Sequence, residues 1–155
     1  MQRRRMIKMG LCAALLLFGP AAASESENGM TVEQGRPADW HYQHHKRLSA
    51  ALSALKPQRP GIVDAYVVAI GLDSDPVFGR EAAEAARVLA QRYDAVGRTV
   101  LLAAGEGAKG SEAANGSPGN LAIALGGVAA RMDPKEDVLI LFTTSHGGPV
   151  NGLNY

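Results

Sequence analysis

The sequence predicts an α/β domain of three layers, α-β-α, built around a mainly parallel sheet. Three short apolar runs, at residues 62–70, 99–104 and 137–144, have the length and the β-branched composition of buried strands. Amphipathic stretches of about a dozen residues separate the runs, as right-handed crossovers between parallel strands require. Because the chemistry of such sheets lies beyond the carboxyl ends of the strands, the residues that follow each run are the first candidates for a functional site.

The composition is that of one globular domain. The chain has 155 residues, of which 46% are hydrophobic and 20% charged. These values exclude a collagen, a coiled coil, a disulfide scaffold and a wholly disordered chain. The net charge is +1, but four basic residues and no acid lie in the first ten positions, so the rest is slightly acidic. We therefore expect no nucleic-acid partner.

Residues 1–23 predict an export signal. A basic start is followed by the apolar run Leu11–Phe18 and by the small residues Ala21–Ala23, a cleavage motif. The apolar run is much shorter than the roughly 20 residues of a membrane span, so we expect no stable span after cleavage. We expect export by either the Sec or the twin-arginine route, which places the protein in the periplasm or outside the cell. Cys12, the only cysteine of the chain, lies in this signal.

A leader and then a helix follow the signal. Residues 24–39 are polar and without hydrophobic period, so they predict a flexible leader, with the domain proper at 40–155. Trp40–Leu55 predicts the first helix because its apolar residues share one face. Two prolines then end it. The predicted elements after this helix are, in order, a strand at 62–70, a helix at 77–93, a strand at 99–104, a loop at 105–119, a helix at 120–132 and a strand at 137–144.

Three glycines, Gly105, Gly107 and Gly110, imitate a dinucleotide-binding fingerprint after the second strand. That fingerprint must open a helix directly, so that the amino end of the helix faces the pyrophosphate. Here about eight more loop residues precede the next helix. We therefore predict a surface loop and no cofactor.

Three histidines, His41, His44 and His45, lie near the start of the first helix. His41 and His45 are four residues apart, a spacing that can share a metal ion on one helix face. No nearby acid completes a ligand set, so we expect solvated helix histidines and no metal.

His146 directly follows the last predicted strand, in the run Thr-Thr-Ser-His-Gly-Gly. This position places an imidazole at the edge where active sites form. Gly147 lets a backbone N–H approach a substrate carbonyl closely, as an oxyanion donor must. Ser145 is a hydroxyl beside it, but adjacent residues of an extended chain point in opposite directions, so we expect no Ser145–His146 pair. An acyl-transfer site and an ordinary loop histidine both fit these residues.

The same run carries a resemblance to a known family. Residues 137–148 resemble the strand-and-histidine motif of the legumain-type cysteine peptidases, of the caspase–haemoglobinase fold. Residues 57–69 and 77–81 are similar to the first strand and helix start of a bacterial branch of that family, and residues 130–137 agree with it. The similarity covers residues 48 to 150 of the chain.

The resemblance implies an exported cysteine endopeptidase that acts on peptides or proteins and needs no cofactor. His146 matches the family's general base and acid, and Gly147 matches the glycine whose N–H helps to bind the oxyanion. Arg80 lies where the family has an arginine that lines the pocket for the residue before the cleaved bond. Phe78 replaces the asparagine that assists the histidine in legumain.

The family's nucleophilic cysteine lies at the end of the strand after the histidine, and residues 24–155 contain no cysteine. We therefore expect a caspase-like fold truncated after its third strand, the amino-terminal part of a peptidase domain, which is inactive by itself. The alternative is a non-catalytic α/β binding module of the cell envelope with the same fold.

Overall fold

The predicted α/β architecture is confirmed in a computed structural model that describes residues 33–72, 75–104, 112–148 and 152–153. The predicted signal, the glycine fingerprint and most of the predicted leader lie outside the described residues. A four-stranded, all-parallel sheet forms the middle layer, with helices on both faces.

The elements agree with the predicted strands and helices to within three residues at each end. Two features are additional: a two-residue strand inside the predicted loop and a short antiparallel ribbon after His146. In chain order the elements are α1 (Ala38–Ser53), β1 (Ala65–Gly71), α2 (Pro76–Arg92), β2 (Thr99–Ala104), β3 (Ala114–Asn115), α3 (Pro118–Ala129), β4 (Val138–Thr144), β5 (Gly147–Gly148) and β6 (Gly152–Leu153).

The order of strands in the sheet is β3-β2-β1-β4, so β1 is central and β4 is an edge. β1 and β4 are paired along their whole length, from Ala65 opposite Val138 to Gly71 opposite Thr144. Their carboxyl ends therefore meet at the same place. Within the described residues, the outer edge of β4 has no partner strand.

The core lies on both faces of β1, which is buried at every position. Tyr66, Val68 and Ile70 point to one side, where they pack with residues of α1 and α3. Val67 points to the other side and packs under α2. This alternation, on a strand covered on both faces, explains why its sequence is a continuous apolar run. None of the helices in the described segments is long and apolar enough to cross a membrane.

Two glycines allow the backbone to close tightly at the carboxyl edge of the sheet. A Cβ added to Gly116, just after β3, would lie 1.8 Å from the carbonyl oxygen of Gly71. A Cβ added to Gly71 would lie 2.9 Å from the carbonyl oxygen of Phe78 in α2. The end of β1, the start of α2 and the residues after β3 are thus held together at this edge.

A buried carboxylate organises the opposite, amino end of the sheet. Asp64 is 1% exposed. It accepts hydrogen bonds from the Arg59 guanidinium at 2.6 and 2.9 Å, and it forms an ion pair with Arg98 at 3.2 Å. Hydrogen bonding by Arg59 holds the pKa of Asp64 below its usual range. This cluster lies at the far end of β1 from His146, so we assign it a structural role.

Candidate active site at the carboxyl edge of the sheet

The structure places His146 two residues beyond the end of β4, at the carboxyl edge of the sheet. The neighbouring strand ends at the same level, because the Leu72 N–H donates to the carbonyl oxygen of Thr144 at 2.9 Å. The His146 side chain is 58% exposed. The imidazole is therefore accessible at the edge where parallel sheets carry their chemistry.

The start of α2 supplies the neighbours of this imidazole. Asp75, the N-cap of α2, places its Oδ2 3.6 Å from Nε2 of His146. Phe78, in the first turn of α2, packs against the imidazole with ring centroids 4.8 Å apart and ring planes at 87°. The imidazole thus lies beside a carboxylate and makes a T-shaped contact with an aromatic ring.

A further hydrogen bond fixes α2 to the end of β4. The Thr144 hydroxyl donates to Oε2 of Glu81 at 2.6 Å. Asp75 also serves its own helix, since its Oδ1 accepts the Val77 N–H at 3.0 Å. Such caps stabilise a helix start by about 1 kcal/mol. The carboxylate that faces His146 is therefore held at the helix start and is not a freely rotating surface group.

Ser145 makes a contact with the backbone. Its hydroxyl donates to the carbonyl oxygen of His146 at 2.8 Å. Gly147 begins the short ribbon, where it lies opposite Leu153. The residue predicted as the oxyanion donor thus follows His146 directly in the chain and takes part in the ribbon.

Arg80, the third residue predicted for the site, is not brought to the imidazole. It lies on the exposed surface of α2. Two residues along a helix correspond to a rotation of about 200°, so Arg80 leaves α2 on the side away from Phe78. A role of Arg80 in substrate binding stays a prediction.

His44 differs from the sequence expectation, which was wrong in treating all three helix histidines as solvated. His41 and His45 are exposed, but His44 is buried, and its Nδ1 accepts the Asn115 N–H at 3.0 Å. Burial lowers the pKa of His44 to about 4, with a smaller contribution from Arg47. The sequence carries a signal for this burial, because position 44 lies on the apolar helix face, between Trp40 and Leu48.

A polar cluster surrounds His44 at the β3 end of the same sheet edge. The Asn115 amide donates to Glu33 at 3.0 Å, and the Asn120 amide donates to Oδ1 of Asn115 at 2.6 Å. These bonds attach the end of the predicted leader and the start of α3 to β3. No group of three histidine, cysteine or acidic residues that could hold a metal ion occurs in the described parts of the chain.

Comparison of the chain with protein-family models, with curated proteins and with solved structures finds no match in any of the three. The functional argument therefore depends on the residues of the site themselves.

Proposed function

We propose that this chain is the histidine-bearing part of an exported, legumain-type cysteine endopeptidase of the periplasm or the extracellular space. One observation carries the proposal: His146 lies exposed at the carboxyl edge of a parallel sheet, with the Asp75 carboxylate 3.6 Å from its ring. A general base must be accessible to the reacting groups, and an oriented base needs a neighbour that holds it.

In the proposed reaction, His146 takes the proton of a cysteine thiol, and the thiolate attacks the carbonyl carbon of the peptide bond. The backbone N–H of Gly147 donates to the resulting oxyanion. His146 then gives the proton to the leaving amine as the C–N bond breaks, which leaves a thioester. Water hydrolyses the thioester with His146 as the base, and the thiol is restored.

The proposal requires a cysteine that is not among residues 24–155. The outer edge of β4, which has no partner strand among the described residues, offers the place for it. A parallel strand paired there would end about 4.8 Å from the end of β4, so a residue at its carboxyl end could face the imidazole. Substrate selection by Arg80 belongs to the same proposal, for substrates that extend over the exposed side of α2.

The identity of the nucleophile tests the proposal. We expect the full-length protein to cleave peptides and to lose this activity after alkylation of one thiol. Ser145→Ala should cleave at the wild-type rate, and residues 24–155 alone should cleave nothing. Hydrolysis by residues 24–155 that Ser145→Ala abolishes would instead show a serine mechanism. Full-length protein that binds peptides without cleaving them would show a binding module.

A further inference from the structure

We infer that Asp75 is a positioning residue that holds the neutral His146 ring as the Nε2–H tautomer, so that Nδ1 is the nitrogen that accepts the proton. The catalytic meaning of this inference rests on the proposed function. The tautomer itself is a property of the folded chain and does not depend on that function.

The two oxygens of the Asp75 carboxylate have separate partners. Oδ1 accepts the Val77 N–H at 3.0 Å, and Oδ2 is the oxygen that lies 3.6 Å from Nε2 of His146. The cap holds the carboxylate at the helix start, so that while one oxygen accepts the Val77 N–H the other is directed toward the imidazole. A distance of 3.6 Å exceeds that of a formed hydrogen bond, but such contacts at catalytic groups are often long in the free protein and tighten around a substrate.

The acceptor character of the carboxylate decides the tautomer. A neutral imidazole has one N–H donor and one acceptor nitrogen, and an ionised carboxylate can only accept. The nitrogen that faces Asp75 therefore carries the proton, and Nδ1 carries the lone pair. The Phe78 ring, at 87° to the imidazole, packs against it and restricts the tilt of the imidazole plane.

Asp75→Asn tests this assignment because the cap stays intact while the group that faces His146 is inverted. Asparagine caps helices as well as aspartate does, through its Oδ1. The amide NH₂ then faces Nε2 as a donor, which requires Nε2 to become the acceptor and Nδ1 to carry the proton. Loss of the correct tautomer reduces turnover by about 10⁴-fold in serine peptidases when their aspartate is changed to asparagine.

The measurement is ¹⁵N NMR of the histidine-labelled protein at alkaline pH, where an ordinary imidazole is neutral. We expect Nε2–H for His146 in the wild type and Nδ1–H in Asp75→Asn. His44 is an internal reference for native packing, since its Nδ1 accepts the Asn115 N–H and must stay the acceptor in both proteins. Glu84→Gln removes a carboxylate from the same helix and should leave the His146 tautomer unchanged.

A second variant tests whether any change in the His146 tautomer comes from disruption of the start of α2. Asp75→Ser keeps a capping side chain that is too short to reach the imidazole, so we expect a mixture of both His146 tautomers. A wild-type His146 with Nδ1–H, or one tautomer shared by the wild type and Asp75→Asn, would overturn the inference.

These results separate the inference from the proposed function. An inverted tautomer in a protein that hydrolyses no peptide supports the inference and refutes the peptidase. Hydrolysis at the wild-type kcat by Asp75→Asn, with the wild-type tautomer retained, refutes the inference and leaves the peptidase standing.

Discussion

Asp64→Asn should strongly destabilise the fold, although the substitution lies at the opposite end of the sheet from His146. Asp64 is 1% exposed, and it is the charge partner of Arg98, which is 5% exposed. Removal of one member of a buried ion pair leaves a buried charge uncompensated, which costs about 3–5 kcal/mol. Because Arg59, the other partner, is 46% exposed, water screens part of the site. We therefore expect the free energy of unfolding to fall by about 3 kcal/mol, at the lower end of that range.

Urea titration of the 155-residue chain measures this loss directly, as a lower midpoint at an unchanged slope. In a thermal scan it corresponds to a fall in Tm of about 6–12 °C for a domain of this size. Asp94→Asn is the matched control. Asp94 contacts the same Arg59 at 3.3 Å but is 84% exposed, so its substitution should change the midpoint very little.

The pH dependence provides a second signature. The pKa of Asp64 is lowered in the folded chain. The stability that the ionised carboxylate contributes is therefore fully present above the pKa of an aspartate in the unfolded chain, about 3.9. It is lost as the pH falls through the folded pKa, so the wild type and Asp64→Asn should converge in stability in acid. Equal midpoints for Asp64→Asn and Asp94→Asn at neutral pH would refute the argument.

Three further predictions concern packing, titration and assembly. Gly116→Ala should cost at least about 2 kcal/mol in urea titration, because its Cβ meets backbone, whereas Gly126→Ala, with nothing within 4 Å on an exposed helix position, should stabilise by about 0.5–1 kcal/mol. Because the folded pKa of His44 is about 4 against an ordinary 6.5, the unfolded chain takes the proton first and stability falls as the pH drops between these values. Over this pH range the free energy of unfolding should fall by roughly 3 kcal/mol. This pH dependence should disappear in His44→Gln and persist in His45→Gln. Residues 24–155 should self-associate through the open edge of β4 in size-exclusion chromatography, and Leu141→Lys, at a 46% exposed position of that strand, should weaken the association; a wild-type monomer at all concentrations would contradict this.

The longer elements could be predicted from the sequence because each has a local signal. β1 is a continuous apolar run, and α2 has the Pro at its start and the apolar spacing of a surface helix. The position of His146 follows from its place after β4 and from the rule that parallel strands share a carboxyl edge. These predictions needed only short stretches of chain and one topological rule.

The contacts that complete the site depend on residues distant in sequence. Asp75 is in a loop of the sequence prediction, and only the pairing of β1 with β4 brings it within reach of His146. β3 has two residues, too few for a periodic signal, and its partner is the end of β2. The need for a glycine at position 116 likewise becomes evident only from the close approach of the Gly71 backbone in the folded chain. None of these pairs could be found from local periodicity alone.

The most direct test of the central claim is the peptide-cleaving activity of full-length His146→Ala. General acid–base catalysis contributes about 10²–10⁴-fold, and activation of the thiol would be lost with it, so kcat should fall by at least that factor. Peptide affinity should change little, because an alanine leaves the surrounding backbone and Phe78 in place. His41→Ala, at an exposed position of α1, serves as the control and should cleave at the wild-type rate. A full-length His146→Ala protein that cleaves peptides as fast as the wild type would contradict the assignment of this site.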